Sequence, residues 1–432
     1  MKILIDCGLV QGGRFCESRN AEPFGFDPKS IDALFVTHGH LDHVGRIPRL
    51  VREGFSGVIY STPPTRDLSE LMLLDGQGLM AKEAEQCGDE VIYAVEDITT
   101  AMSLWKPLEY KERVSLDGVT VEFLRAGHIL GSAMVRVVIG GKVILFSGDL
   151  GSKESLLLPP AEDVDRVDYL IMESTYGDRT HEDLPHARME LERAIEDVAA
   201  RGGTLMIPSF ATERTQDIIF LLNEMLVLRQ VPEMPIFIDS PLATKVTAVF
   251  EKYRSYYKPE IQELYKNHPH LFESKTLKNT TSVEESKAIN DVPPPKVVVA
   301  GSGMMTGGRI LHHMRRYLSR RDSTLLIAGF QAKGSLGRQI LEGADTVKIY
   351  GESIAVQAKV QQIHGFSAHA DRDRLYEFVS GLKDSLLRVF AVQGETEAAL
   401  SLVQVVRDRL GIAADAPILG MRVELREDEG SV

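Results

Sequence analysis

Cysteine is scarce in these 432 residues: Cys7, Cys16 and Cys87 are the only three, and no two of them form a CxxC pair. That usage excludes a thiolate metal site and offers no disulfide framework, and it fits a reducing, cytoplasmic setting. Any metal must then be held by imidazole and carboxylate. Apolar runs of about 18 residues are missing too, so no membrane span is expected. The opening MKILIDCG reads as a strand and lacks the charged head and cleavage site of a secretory signal. Basic charge is in deficit, with a net charge of -13. This argues against a broad nucleic-acid-binding surface, although a local basic patch or a bound divalent metal overrides the average. There is no internal repeat, no low-complexity run, no dinucleotide-type GxGxxG and no serine hydrolase elbow.

What remains is an ordinary globular composition, 44% hydrophobic and 26% charged, in a chain too long for one hydrophobic core. Three blocks are expected. Residues 1–173 carry short β runs (KILIDC, ALFVTH, GVIYST, TVEFLRAG, VRVVIG, KVILFSGD, YLIMES) with few long helices between them. Residues 174–346 alternate helix and strand: ARMELERAIEDVAARGG, TLMIPS, ERTQDIIFLLNEMLVLR, PIFIDS and, after a polar stretch, KVVVAG, RILHHMRRYLS and TLLIAG. Apolar strands separated by helices predict a parallel sheet covered on both faces, and so a second core. Residues 347–432 return to strand pairs, then a helix, the strand RVFAVQG and a last helix.

The densest signal is VTHGHLDH at 36–43, in a chain with only 12 histidines. His38 and His40 are two apart and point to one side of extended backbone, while Asp42 and His43 sit on the turn that follows. Imidazole and carboxylate at this spacing suit zinc and offer two ligands to each of two neighbouring ions. One loop cannot complete two sites. His128 in AGHILGS and Asp149 in FSGDLG each follow a β run and stand beside a glycine that permits a tight turn.

LIDCG, THGHLDH, AGHILGS, SGDLG, MESTYGDR, PSFATERTQ, DSPLA, GSGMMTGGR and GFSAHAD occur in this order along nearly the whole chain. The series resembles the β-CASP group of the metallo-β-lactamase superfamily, RNA-processing metallohydrolases that include ribonucleases and the mRNA 3′-end cleavage endonuclease. The resemblance implies an α/β fold, a metallo-β-lactamase αββα sandwich interrupted by an inserted parallel α/β domain, with RNA in the cleft between the two. His38, His40 and His128 match the ligands of one zinc, Asp42 and His43 those of the other, and Asp149 the bridging carboxylate. Asp42 is thus both ligand and participant in the chemistry. Asp6 matches an aspartate that orients the loop histidines.

Two zincs about 3.5–4 Å apart can hold a bridging hydroxide and flank both the attacking and the leaving oxygen of a phosphodiester. Attack at phosphorus would leave a 5′-phosphate and a 3′-hydroxyl. His369 of GFSAHAD matches the donor of the leaving-group proton, and Glu173 the acid that positions it; His364 reads as an ordinary rim histidine.

The resemblance also supplies two departures. A histidine in a Val-His-Gly-Glu turn normally closes the second metal site, whereas AVQGE places Gln393 there, a poor zinc ligand. The second site is expected to be weak, completed by water, or empty, and activity reduced. Relatives also have an earlier strand and a Gly-rich loop before KILIDCG; either the start is misplaced, or the first sheet lacks an edge strand and invites association.

Substrate contacts are expected from Ser302, Gly303 and Arg309 of GSGMMTGGR, where a Gly-rich turn before a helix can cradle phosphate, and from Arg214 of PSFATERTQ. Asp239 and Ser240 of DSPLA have no role legible in their chemistry. His181 and His186 read as surface residues, and the adjacent His312 and His313 face different sides of a helix.

The expected protein is a zinc-dependent ribonuclease acting on single-stranded RNA, cytoplasmic and without a membrane anchor; dimers are common in this group. The alternative is a catalytically impaired RNA-binding or assembly subunit of the same fold. A small-ester or thioester hydrolase is disfavoured, having no use for the long insertion.

Overall fold

The computed structural model describes residues 1–10, 18–87, 91–268, 270–329, 331–332 and 334–425. Cys16, the side chain of Cys87 and the chain after 425 lie outside the described residues.

Strands β1 (Ile3–Ile5), β2 (Ala33–Phe35), β3 (Val58–Ser61) and β4 (Trp105–Pro107) form a parallel sheet in chain order, with β1 at its edge. A second sheet begins with β5 (Arg113–Leu116), β6 (Val119–Arg125), β7 (Ala133–Ile139) and β8 (Lys142–Phe146), antiparallel neighbours, and continues with β9 (Tyr169–Glu173) parallel to β8. Alternation along the strands decides how the sheets stack. Phe35 and Tyr60 turn inward against Val121, Phe123 and Val135, and Phe35 stacks on Tyr60 at 5.1 Å. Leu34, Val36, Ile59 and Trp105 point the other way and are covered by Ile47 and Leu50 of the helix Ile47–Arg52, and by residues of the helices Pro63–Cys87 and Val95–Ser103.

The insertion is its own layered unit. Strands β10 (Thr204–Pro208), β11 (Ile236–Asp239), β12 (Leu277–Asn279), β13 (Lys296–Ala300) and β14 (Thr324–Ile327) are parallel, in the order β12-β11-β13-β10-β14. One face carries the helices Leu184–Arg201 and Arg214–Val227, the other the helix Ile310–Tyr317, so both faces are apolar as a buried parallel sheet requires. The hairpin of β15 (Thr346–Ile349) and β16 (Glu352–Ala355) follows, and then β17 (Lys359–Gln362) pairs with β14. That pairing carries the sheet on to Gln362, after which the chain rejoins the sandwich. There β18 (Arg388–Val392) pairs with β9 and β19 (Ala413–Asp415) with β18, and the helices Arg372–Gly381 and Thr396–Leu410 cover the outer face of the second sheet.

Asp239, at the end of β11, has a role that sequence reading did not find. Fully buried, it accepts from Arg309 Nη1 at 2.7 Å, Thr280 Oγ1 at 2.6 Å, Ser286 Oγ at 2.7 Å and His313 Nε2 at 2.7 Å. Burial alone would raise its pKa, but these hydrogen bonds outweigh burial and hold it well below the usual carboxylate range. Removing one partner of such a buried ionic network costs about 3–5 kcal/mol, so Asp239→Ala is expected to lower the urea midpoint accordingly. Because the folded pKa is depressed, the contribution is complete above about pH 4, the unfolded value, and is lost as pH falls below it. The variant should lack that acid-sensitive component.

Candidate active site

The histidine and carboxylate motifs of the sandwich lie at the same end of its two sheets. Asp6 follows β1, His38 to His43 follow β2, His128 sits between β6 and β7, Asp149 follows β8, Glu173 ends β9 and Gln393 follows β18. The parallel strands place their carboxyl ends together, and loops leaving those ends converge.

The histidine loop is fastened from below by β1. Cys7 N donates to His43 O at 2.7 Å and Leu9 N to Leu41 O at 2.9 Å, while a Cβ on Gly8 would fall 1.5 Å from the Asp42 carbonyl oxygen. Only glycine allows this approach. Asp6, at φ +57°, accepts from Thr37 N and Thr37 Oγ1, each at 2.8 Å, and from His43 Nδ1 at 2.7 Å. The contact leaves Nε2 of the His43 ring toward the cleft. Thr37, the first residue of THGHLDH, links Asp6 to the histidine loop, a role its residue type does not signal. Gly148, at φ +54°, packs on Thr37 and turns Asp149 inward.

Two groups of donor atoms result. In the first, His38 Nε2 and His40 Nδ1 are 3.0 Å apart, His128 Nε2 lies 3.3 Å from His40 Nδ1, and Asp149 Oδ2 lies 3.5 and 3.6 Å from the Nε2 atoms of His38 and His128. In the second, His43 Nε2 is 3.6 Å from Asp42 Oδ2 and 3.4 Å from Asp149 Oδ1. Within each group the ligand atoms lie within 4.8 Å of one another. Asp149 belongs to both, as a bridging carboxylate must.

The electrostatics suit a cation. Burial pushes the pKa of His38, His40 and His128 down, which keeps their rings neutral with lone pairs available, the state a metal ligand needs. His43 goes the other way, because the carboxylates of Asp149, Asp6 and Asp42 outweigh its burial. Burial would also raise Asp149, but His43 and His38 outweigh it and hold the carboxylate ionised. Asp42 Oδ1 and Asp149 Oδ1 are buried with no hydrogen-bond partner among the described residues. Buried acceptors without partners beside neutral imidazoles are what a divalent ion satisfies, so the residues present fit the metal.

His369 reaches the same hollow on a strap held by the Asp149 loop: Ser152 N donates to Ala368 O at 3.1 Å and Ala370 N to Leu150 O at 2.7 Å. Its Nδ1 lies 3.2 Å from both oxygens of Glu173, whose Oε1 also accepts Leu150 N at 2.7 Å. Burial would lower the His369 pKa, but Glu173 outweighs it and lifts the group to about 9. Gln393 closes the opposite side, its Nε2 at 2.8 Å from Asp42 Oδ2 and 3.3 Å from His43 Nε2.

The expected RNA contacts are less uniform. Arg214 is 7% exposed, its Nε and Nη1 have no partner among the described residues, and it lies 5.9 Å from the centre of the Phe366 ring in the GFSAHAD strap. Arg309 donates to Asp239, Thr280 O and Thr281 O and so braces the end of β11. Ser302 Oγ accepts from Thr306 N and Gly307 N, and Gly303 abuts the Phe210 ring; much of the presumed cradle is spent on the turn itself. His364 is exposed, as expected of a rim residue, whereas His181 is half-buried, edge-on to Tyr176 at 4.4 Å, and not a surface residue.

Three family models match consecutive parts of the chain: the metallo-beta-lactamase superfamily over residues 2–209, the Beta-Casp domain over 215–340, and the Zn-dependent metallo-hydrolase RNA specificity domain over 353–417. The chain belongs to the β-CASP group of the metallo-β-lactamase superfamily. Among its relatives, Ribonuclease TTHA0252 of Thermus thermophilus is 39% identical over 93% of this chain and 89% of its own length. An RNase J-like protein of Methanocaldococcus jannaschii is 32% identical over 97% and 93%. Transcription termination factor FttA of Methanosarcina mazei is 32% identical over 96% of this chain, which spans 66% of that relative. The αββα sandwich with its inserted β-CASP domain is thus both the observed fold and the family's, and the members of this superfamily are metal-dependent hydrolases. Among the described residues no helix is long and apolar enough to cross a membrane.

Within this β-CASP site, Asp6 offers a graded test. Asp6→Asn keeps one acceptor but loosens its hold on Thr37, whose Oγ1 stands 3.1 Å from Nδ1 of His38; metal affinity is expected to fall about 10–100-fold, measured by competition with a chelating dye.

Proposed function

We propose that this protein is a zinc-dependent ribonuclease that hydrolyses single-stranded RNA in the cleft between the sandwich and the β-CASP domain. The observation that carries the reading is the convergence of the His38, His40 and His128 rings on the buried Asp149 carboxylate, with His369 and Glu173 beside them. The ribonuclease relatives support RNA as the substrate. A divalent cation held by His38, His40, His128 and Asp149 would supply Lewis acidity and lower the pKa of water toward about 7.

The chain's own groups do the rest. Asp6 and Thr37 hold the ligand rings in place. Glu173 takes one side of His369 through Nδ1, which leaves Nε2–H as the proton for the departing 3′ oxygen. Arg214, with unspent donors next to the strap, is the side chain we assign to substrate phosphate; Ser302 and Gly303 shape the turn nearby rather than supply charge.

A second reading, an RNA-binding or assembly subunit with little catalysis, is favoured by one observation, the amide of Gln393 at the second donor group. A labelled single-stranded RNA separates the two. Cleavage abolished by chelation and restored by zinc is expected; salt-sensitive binding without cleavage at any metal concentration would select the subunit.

A further inference from the structure

We infer that the amide of Gln393 stands where a second ion would sit, so that the protein carries one divalent cation per chain, at His38, His40, His128 and Asp149. This rests on the reading above that the cleft binds a divalent cation, and deepens it by fixing how many.

The second donor group offers three atoms: Asp42 Oδ2, His43 Nε2 and Asp149 Oδ1. An ion bound there would need the lone pairs of Asp42 Oδ2 and His43 Nε2 at about 2.0–2.2 Å. Gln393 Nε2 lies 2.8 Å from the first and 3.3 Å from the second, so the amide nitrogen and the ion compete for the same lone pairs and the same space.

The chemistry of the neighbours settles which end of the amide faces in. A carboxylate only accepts, and turning the amide over would set two oxygens 2.8 Å apart, lone pair against lone pair. His43 is held through Nδ1 by Asp6, and its Nε2 faces the amide nitrogen at 3.3 Å. Asp42 therefore calls for N–H, and the amide supplies it.

The side chain is also anchored. Gln393 has φ +50°, a conformation uncommon outside glycine, and its carbonyl oxygen accepts from Ser174 N at 3.3 Å and Thr175 Oγ1 at 3.1 Å. Gly394 follows, packed so closely that a Cβ would fall 2.6 Å from Ser174 Oγ. The backbone thus holds the side chain over Asp42. The first group keeps its four donors, three imidazoles and a carboxylate, and is complete without the second.

Manganese provides a test independent of catalysis. The demetallated protein, Gln393→His and Gln393→Gly are titrated with Mn2+, with bound metal counted per chain and spin coupling followed by electron paramagnetic resonance. Glycine relieves the positive φ and removes the amide, so this variant is expected to fold. The protein itself should bind one Mn2+ with an uncoupled signal. Gln393→Gly should gain a weak second site, and Gln393→His a second site at least about tenfold tighter than the glycine variant's, with a spin-coupled signal. Two coupled ions in the unaltered protein would overturn the inference and leave the hydrolase reading standing. So would a single ion in the glycine variant, since the amide would not then be what excludes the second. Failure of all three proteins to bind Mn2+ would overturn the hydrolase reading together with it.

Discussion

Replacing Asp149 with asparagine is expected to empty the cleft of metal and to lower RNA cleavage by about a thousandfold or more, roughly 4 kcal/mol at 1.36 kcal/mol per tenfold. Asp149 is the one carboxylate shared by both donor groups, and its oxygens lie 3.4 to 3.6 Å from the ring nitrogens of His38, His43 and His128. Asparagine preserves the shape but removes the charge, and it turns an N–H toward imidazoles whose lone pairs face inward. Loss of metal has a readout besides activity. A ligand that binds only the folded state stabilises it by RT ln(1 + [L]/Kd), about 4.1 kcal/mol at a thousandfold excess over Kd. Chelation should therefore lower the melting temperature of the unaltered protein and leave that of Asp149→Asn unchanged. Equal chelator sensitivity in the two would contradict the assignment.

His369→Ala is expected to reduce kcat by about 10²–10⁴-fold, the usual worth of a general acid, while metal content stays the same. The distinguishing substrate is an RNA whose scissile 3′ oxygen is replaced by sulfur. A thiolate leaves without a proton, so the penalty of the alanine variant should largely vanish on that substrate. An undiminished penalty would mean that His369 shapes the cleft and does not donate. Glu173 acts through His369, since its two oxygens are each 3.2 Å from Nδ1, and it is a positioning residue whose loss should likewise spare the sulfur substrate.

Much of this site was legible in the sequence because its ligands are rare residue types set at strand ends. His38, His40, Asp42 and His43 declare themselves within six positions, and His128 and Asp149 follow β runs beside glycines. The three-layer insertion was visible for a related reason, since strands apolar on both faces and helices with one apolar stripe have distinct periods.

The omissions share a physical cause. The helix Pro63–Cys87, 25 residues long, escaped because it contains two glycines and shows no apolar stripe; it touches the sandwich on one side and the insertion on the other, where Asp67 accepts from Lys252 at 2.6 Å. Strand β12 was hidden in a polar stretch because an edge strand needs little apolar character. The pairing of β17 with β14 was not legible because β17 carries polar KVQQ and is defined by that pairing alone. Roles that depend on partners distant in the chain were out of reach too. The ion pair of Arg309 with Asp239, 70 residues away, is one of them. Thr37 Oγ1 lies 3.1 Å from His38 Nδ1 and Ala368 O 3.2 Å from His128 Nδ1, a hydroxyl and a backbone carbonyl that no residue pattern advertises.

The central claim, that separated motifs form one divalent-cation centre, is tested most directly by anomalous diffraction from zinc-soaked crystals collected at the zinc edge. The account predicts a peak about 2.0–2.2 Å from His38 Nε2, His40 Nδ1, His128 Nε2 and an oxygen of Asp149. An empty hollow at full zinc saturation, or a peak elsewhere with these four side chains turned apart, would contradict it.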